Sequence, residues 1–234
     1  MYLNKKVVAI IPAKHKSHDL PRKNYLKLKK ISLYELAIKS AQNSKYVDLV
    51  VVTSDSDNIL NSAKKKGALI IKRNKKLCSK NSTANDVIYH AIKKIKNKIP
   101  KEFIILYLQP TSPFRNHKHI NSAFKKLKSK KMQSLISVRK SKKTIFKSLK
   151  LKNGLIKPIF DEKFVTTNRQ QLNTSYHPNG AIYIFSSNKF MKNKKIPIIN
   201  SLAYEMSENS SHDIDTLEDY KIAKQMSKKF LIYK

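Results

Sequence analysis

Two carboxylates stand two residues apart in Asp213-Ile214-Asp215, and Thr216-Leu217-Glu218-Asp219 follows directly. Alternate side chains of an extended segment share a face, so this spacing aims both carboxylates at one point. Acid groups are scarce, 15 Asp and Glu against 50 Lys and Arg in 234 residues, and a divalent cation would find few other ligands. Hard carboxylate oxygens suit Mg²⁺, which takes one or two of them and completes its shell with water and substrate phosphates. The pair therefore suggests phosphate chemistry, with Asp213 and Asp215 as metal ligands. The same residues could instead cap and charge the N-terminus of a following helix, and the spacing alone leaves both readings open.

A second group fills residues 13–24, where Lys14, His15, Lys16, Ser17, His18, Asp19, Arg22, Lys23 and Asn24 crowd together. Such a loop could cradle a triphosphate through backbone N–H groups and lysines. It has neither the glycine-lysine pattern of a P-loop nor the three-glycine pattern of a dinucleotide fold. A solvated basic loop is the plain alternative for any single lysine in it.

These groups need elements to position them. Val7-Val8-Ala9-Ile10-Ile11 is an unbroken apolar run, as expected of a strand buried on both faces. Further strands are expected at 49–53, 68–71, 103–108 and 134–138. Between them the 3.6-residue pattern and cap signals place helices. One follows Ser32 with Glu35 three residues on; another runs over 59–66 and stops at Gly67. A third opens on Thr83-Ala84-Asn85-Asp86, and a fourth covers 118–128. This alternation implies a mostly parallel, doubly wound α/β sheet flanked by helices. Polar clusters at 13–24, 54–57 and 109–115 each follow a buried strand, and in such sheets ligands bind beyond the strands' carboxyl ends. Beyond residue 141 the rhythm changes. Asn153-Gly154 between 148–151 and 155–159 predicts a β-hairpin, 161–178 reads as irregular, 180–185 as a strand, and 216–230 as a closing helix with Leu217, Tyr220, Ala223 and Phe230 near one face. One domain over 1–234 is expected, with an inserted arm at about 141–177.

Composition sets limits. The single cysteine, Cys78, excludes an internal disulfide framework and fits a reducing compartment. No apolar run reaches the length of a membrane span, and the run at 7–11 is too short for a signal peptide. A cytoplasmic protein with no membrane partner is expected. The net charge of +35 invites a nucleic-acid reading. Arginine, however, stands only at 22, 73, 115, 139 and 169, and bidentate readout of bases and phosphates favours arginine. Lysine, asparagine and isoleucine share AT-rich codons, a simpler cause, so no specific nucleic acid is expected. The same field would still attract anionic substrates.

Several segments in order resemble one family. Ile11-Pro12-Ala13-Lys14 through Lys23-Asn24 resembles the opening motif of the acylneuraminate cytidylyltransferases, and Leu108-Gln109-Pro110-Thr111-Ser112-Pro113-Phe114-Arg115 is similar to their LQPTSPLR segment. Arg169-Gln170-Gln171, Pro178-Asn179-Gly180-Ala181-Ile182-Tyr183 and Asp213-Ile214-Asp215-Thr216 with Asp219 continue the likeness over about 7–225. The resemblance implies a Rossmann-like nucleotidyltransferase fold with a small β-hairpin dimerisation arm. It implies a homodimer, Mg²⁺ at Asp213 and Asp215, and the reaction of CTP with an acidic nine-carbon, sialic-acid-like sugar to give CMP-sugar and pyrophosphate. Lys14, Ser17, Lys23, Asn24, Arg73, Ser82 and Thr83 would serve the nucleotide, Lys23 and Asp215 the chemistry, and Gln109, Lys147, Arg169, Asn179 and Tyr183 the sugar. Thr111, Ser112 and Arg115 are expected to shape the structure. The chain departs from the family's Arg-x-x-Ser-Lys-Gly opening with Lys14, His18 and Asp19, and His177 stands where arginine is frequent. Rival readings are the related 3-deoxy-manno-octulosonate enzyme, a non-catalytic homologue that keeps CTP binding, and a basic nucleic-acid-binding protein.

Overall fold

The computed structural model describes residues 1–17, 19–141 and 144–230. The unbroken apolar runs become strands because every side chain on them finds cover. β1 (Val7–Pro12) leads through a small hairpin of β2 (Lys27–Leu28) and β3 (Ile31–Ser32) into α1 (Leu33–Gln42). β4 (Leu49–Ser54) leads into α2 (Asp57–Lys65), β5 (Leu69–Lys72) into α3 (Ala84–Ile95), and β6 (Ile104–Tyr107) through α4 (His117–Ser129) into β7 (Ser134–Lys140). A separate hairpin of β8 (Leu149–Lys152) and β9 (Leu155–Pro158) follows, then α5 (Lys163–Thr166), β10 (Tyr176–Ser186), α6 (Ser187–Asn193), β11 (Leu202–Glu205) and α7 (Leu217–Phe230).

Seven strands form one sheet in the order β11-β7-β10-β6-β1-β4-β5. All neighbours pair in parallel except at β10, which runs against both β6 and β7. Alternation along β1 divides the core. Val7, Ala9 and Ile11 face Ala37 and Ile38 of α1 and Phe124 and Leu127 of α4. Val8 and Ile10 face Ile88, Ala91 and Ile92 of α3. Burial of each large aliphatic chain contributes about 1.5–3 kcal/mol, which makes the two-sided strands the stable centre of the fold.

The expected caps are present. Ser32 and Glu35 bond reciprocally at the start of α1, as do Thr83 and Asp86 at the start of α3. Gly67 ends α2 at φ +78, and Asn153 and Gly154 turn the hairpin at φ +52 and +76.

Some expectations need correction. β2–β3, α6 and β11 were not legible, being too short or too polar to show a period. The segment 161–178 is not wholly irregular. It holds α5, and β10 starts at Tyr176, so the last two residues of the expected arm belong to the sheet. The closing helix is present at Leu217–Phe230, with its stripe only partly covered. Ala223 is buried, but Leu217 and Phe230 are 57% and 52% exposed, because α7 packs on the small cluster of Leu28, Leu33 and Phe114 rather than on the sheet.

Candidate functional site

The carboxyl ends of β1, β5 and β6 open onto one cavity of ≈ 340 Å³. Its wall on the β1 side is the loop 13–25, which the chain ties down by polar bonds. Ala13 N–H donates to Thr53 O (2.9 Å), His15 N–H to Asp55 Oδ1 (2.7 Å), and Asn24 Nδ2 to Lys14 O (2.8 Å). Tyr25 OH meets Ser56 Oγ at 2.6 Å. Lys14, Ser17, Lys23 and Asn24 thereby line the cavity. Ser17 Oγ is buried and makes no hydrogen bond among the described residues. His18 lies outside the described residues. Asp19 is exposed and does not line the cavity.

The opposite wall comes from β5 and the approach to α3. Arg73 is 4% exposed. Its backbone N–H donates to Ser54 O (2.7 Å) and its guanidinium to Thr53 O (2.6 Å), while Nε has no partner. Burial lowers its pKa, opposed by the neighbouring Cys78, Tyr107 and Asp55; arginine remains cationic under such a shift. Ser82 Oγ is also buried without a partner, whereas Thr83 Oγ1 is occupied in capping α3. Ser82 and Thr83 both line the cavity. Its floor includes Tyr107, whose phenol pKa burial pushes well above the ordinary value, against the nearby Arg73. Leu77, Ser79, Val87 and Tyr107 were not singled out from sequence. An aromatic at the end of an apolar strand gives the same signal whether it fills core or floors a pocket.

The remaining side carries the two aspartates. Ile214 N–H donates to Thr111 O (2.9 Å), and the Ile214 side chain is wholly buried beside Leu20 and Phe114. Anchoring the central residue inward sends its two neighbours the other way, so Asp213 and Asp215 both reach the cavity. The helix cap is made by other groups. Asp219 accepts from the N–H groups of Asp215 (3.1 Å) and Thr216 (2.8 Å), and Thr216 Oγ1 accepts from Asp219 N–H (3.2 Å). Lys23 Nζ donates to Asp215 Oδ1 at 2.8 Å, across 192 positions of sequence. Asp213 Oδ1 is buried with no hydrogen-bond partner among the described residues. Burial and the charge of Asp215 raise the Asp213 pKa, against the Thr111 hydroxyl and Lys23.

The residues expected on the sugar side separate. Gln109 lines the cavity. Asn179 is buried and its amide is spent in the fold, accepting from Ser137 Oγ (2.6 Å) and donating to Ser211 Oγ (2.8 Å). This bonding holds Gly180 at φ +73 against Gln109, whose side-chain oxygen a Cβ there would strike. Tyr183 lies next to the site, edge-on to Tyr107 at 6.1 Å, and the Asp213 charge helps to raise its pKa after burial. Lys147 and Arg169 belong to the arm region and do not line the cavity. Arg115 is structural, donating to Gln109 O (3.1 Å) and Ala181 O (3.2 Å). His177 lines a separate cleft of ≈ 550 Å³ beneath the arm, with Arg139, Lys140 and Glu205.

The cavity thus gathers three cations, two carboxylates, and buried donors and acceptors on Ser17, Arg73, Ser82 and Asp213 that find no partner among the described residues. Buried polar groups are normally satisfied, and these converge on one space. Phosphate oxygens would accept from the donors, and a cation would be held by Asp213.

Known proteins resemble this chain in sequence and in fold. The chain is 34% identical over 219 residues to an N-acylneuraminate cytidylyltransferase of Escherichia coli, covering 93% of this chain and 51% of that one. It is 28% identical over 224 residues to a pseudaminic acid cytidylyltransferase of Campylobacter jejuni, covering 95% and 97%. The chain therefore spans about half of the first relative and nearly all of the second. Its fold is similar to that of a CMP:2-keto-3-deoxy-manno-octonic acid synthetase solved in complex with CTP, with a TM-score of 0.71 at 14% identity, over 97% of this chain and 100% of the other. Residues 8–233 match the family described as Cytidylyltransferase, and the chain belongs to that family.

Proposed function

We propose that the chain transfers CMP from CTP to the anomeric hydroxyl of an acidic nine-carbon sugar of the sialic-acid type. The hydroxyl oxygen bonds to the α-phosphorus, the bond from phosphorus to the bridging oxygen breaks, pyrophosphate leaves, and the hydroxyl proton passes to a carboxylate or water. The observation that carries this reading is the convergence of Lys14, Lys23 and Arg73 with Asp213 and Asp215 on one cavity at the strand ends. The relatives' names support the choice of CTP and of an acylated sugar acid.

Lys14, Ser17 and Lys23 would hold the phosphates, with Asn24 fixing the loop through Lys14 O. Arg73 and Ser82 would take the nucleoside, with Thr83 setting the start of α3 beside it. Gln109 can both donate to and accept from sugar hydroxyls. Asn179 and Gly180 position Gln109, and Tyr183 bounds the sugar side. Transfer of this kind depends on positioning and charge neutralisation.

The carboxylates fit Mg²⁺. Asp213 offers a buried oxygen without a partner, Asp215 stands beside it, and among the described residues no cluster of three or more His, Cys, Asp or Glu supplies a closed protein site. Two carboxylates with the rest of the shell left to phosphate and water is the magnesium pattern. Bound there, Mg²⁺ would neutralise charge on the phosphates and the leaving pyrophosphate. Lys23 would be released from Asp215 toward the same phosphates.

The arm supports a homodimer. Leu149, Leu151 and Ile156 of the hairpin are 41%, 73% and 66% exposed. Cross-strand register puts Leu149, Pro158, Leu151 and Ile156 on one face, and a second copy would cover it. Lys147 and Arg169 could then meet the partner's sugar carboxylate, for which arginine has the matching fork.

The test is pyrophosphate release from CTP and Mg²⁺ with sialic, legionaminic and pseudaminic acids. Turnover with one of them is expected, and Asp215→Ala should reduce it at least about a hundredfold with an unchanged melting temperature. Silence with the whole panel would sink the assignment; CTP binding without release would mark a non-catalytic homologue.

A further inference from the structure

In a parallel sheet with helical crossovers, each helix ends where the next strand begins, so helix C-termini gather at the end opposite the cavity. The last turns of α2, α3 and α4 there carry Lys65, Lys94 and Lys128. Complementing the helix dipole accounts for lysines on those turns. It does not account for the exposed Lys98, Lys101, Lys130 and Lys131 in the connections beyond them. The acids in the connections that lead into the strands are Asp48 and Glu102, and both are already ion-paired, to the N-terminal ammonium and to Lys5.

Apolar side chains stand out of this basic surface. Ile198 and Ile199 are 66% and 84% exposed, and Leu3 is 62% exposed. The isoleucines sit on a built turn, in which Ser201 Oγ donates to Pro197 O (2.7 Å) and meets Ser134 Oγ (2.8 Å). Because β7 and β11 pair in parallel, the connections entering them lie at the same end of neighbouring strands, which puts Ile198 and Ile199 on the same sheet end as Lys130 and Lys131. Leu3 tips a second tight turn, between Tyr2 and Lys5, at a left-handed φ of +46 that is costly for a branched side chain. The two tips precede β11 and β1 at the same end of the sheet, on strands four spacings or roughly 19 Å apart.

Against the expectation of no membrane partner, we propose that this end of the molecule docks on an anionic lipid bilayer, with Ile198, Ile199 and Leu3 entering the acyl boundary and the surrounding lysines meeting headgroups. Apolar insertion and lysine attraction add, each supplying what the other lacks for reversible binding. A nucleic acid would reward the lysines through its phosphates but would gain nothing from exposed isoleucines. The orientation leaves the nucleotide cavity facing away from the membrane, open to soluble substrates.

The experiment is co-sedimentation of the full chain at physiological ionic strength with vesicles of phosphatidylcholine alone and of phosphatidylcholine mixed with phosphatidylglycerol. Binding to the mixed vesicles is expected, with little to phosphatidylcholine. The double change Ile198→Ser, Ile199→Ser should weaken it at least about tenfold, and Lys128→Glu with Lys130→Glu should weaken it similarly. CTP affinity, measured by calorimetry on each variant, should stay unchanged, since neither pair touches the cavity. Absence of binding to the anionic vesicles would overturn the proposal. So would undiminished binding by the isoleucine variant, or an isoleucine-independent affinity for RNA that matches or exceeds the vesicle affinity, both of which describe a polycation without a lipid-docking face.

Discussion

Asp213 holds a position that costs the fold something. Burial first, and the neighbouring Asp215 charge second, raise its pKa above the ordinary 3.8. The folded state therefore binds its proton more tightly than the unfolded state. The associated stability is fully present below the ordinary carboxylate pKa and is lost as pH rises through the raised value. At neutral pH the ionised Asp213 is a net burden that a bound cation would relieve. Asp213→Asn should accordingly melt higher than the parent at pH 7, with the difference shrinking toward pH 4, while turnover falls by orders of magnitude. Urea melts across that range would check it, and an Asn variant less stable at neutral pH would contradict the account. Gly180 is the second position where one atom decides. Its positive φ and its closeness to Gln109 both oppose a Cβ, so Gly180→Ala should cost about 1–3 kcal/mol in denaturant unfolding and displace Gln109 from the cavity.

The elements hold these residues through their ends. α4 starts with Asn116, whose Oδ1 accepts from the N–H groups of Lys118 and His119, while Asn116 N–H donates to His119 Nδ1 at 3.2 Å. An accepting Nδ1 requires neutral imidazole at that nitrogen, and burial, with Arg115 and His117 adding to it, lowers the His119 pKa. A depressed histidine contributes stability that is present above its ordinary pKa of 6.5 and lost as pH falls through the depressed value. Thermal stability should drop on acidification below about pH 6.5, and His119→Gln should flatten that drop; a variant with the parent's pH profile would remove His119 as the cause. This cap matters to the site because α4 starts just after the 109–115 turn that carries Gln109 and Thr111. The hairpin arm is an element of another kind, since its apolar face is exposed among the described residues. Leu151→Asp with Ile156→Asp should leave the melting curve nearly unchanged and convert the expected dimer to monomer in light scattering. A parent chain that is already monomeric would end the dimer reading.

At the scale of the whole molecule, the charge of +35 is not evenly deployed. Three cations face two carboxylates in the cavity, and many of the remaining lysines collect on helix ends by the simple geometry of a parallel sheet. The sequence by itself determined a good deal. Unbroken apolar runs and cap residues are local signals, so the alternating strands and helices, the mostly parallel sheet and the hairpin at Asn153-Gly154 could be read directly. So could the three polar clusters at strand ends and the ordered motifs that point to the cytidylyltransferases. Spacing could not decide whether the aspartates at 213 and 215 cap a helix or face a cavity. Tertiary structure did, because burial of Ile214 turns both aspartates toward the cavity and Asp219 takes over the cap. Nor could sequence show that Asn179 is consumed inside the fold, that Tyr107 floors the pocket, or that Lys23 meets Asp215 across 192 positions. It likewise gave no reason to place Leu3 and Ile198 on one surface. Each of these depends on which distant segments the sheet order brings together, and contacts between distant segments leave no mark on local composition.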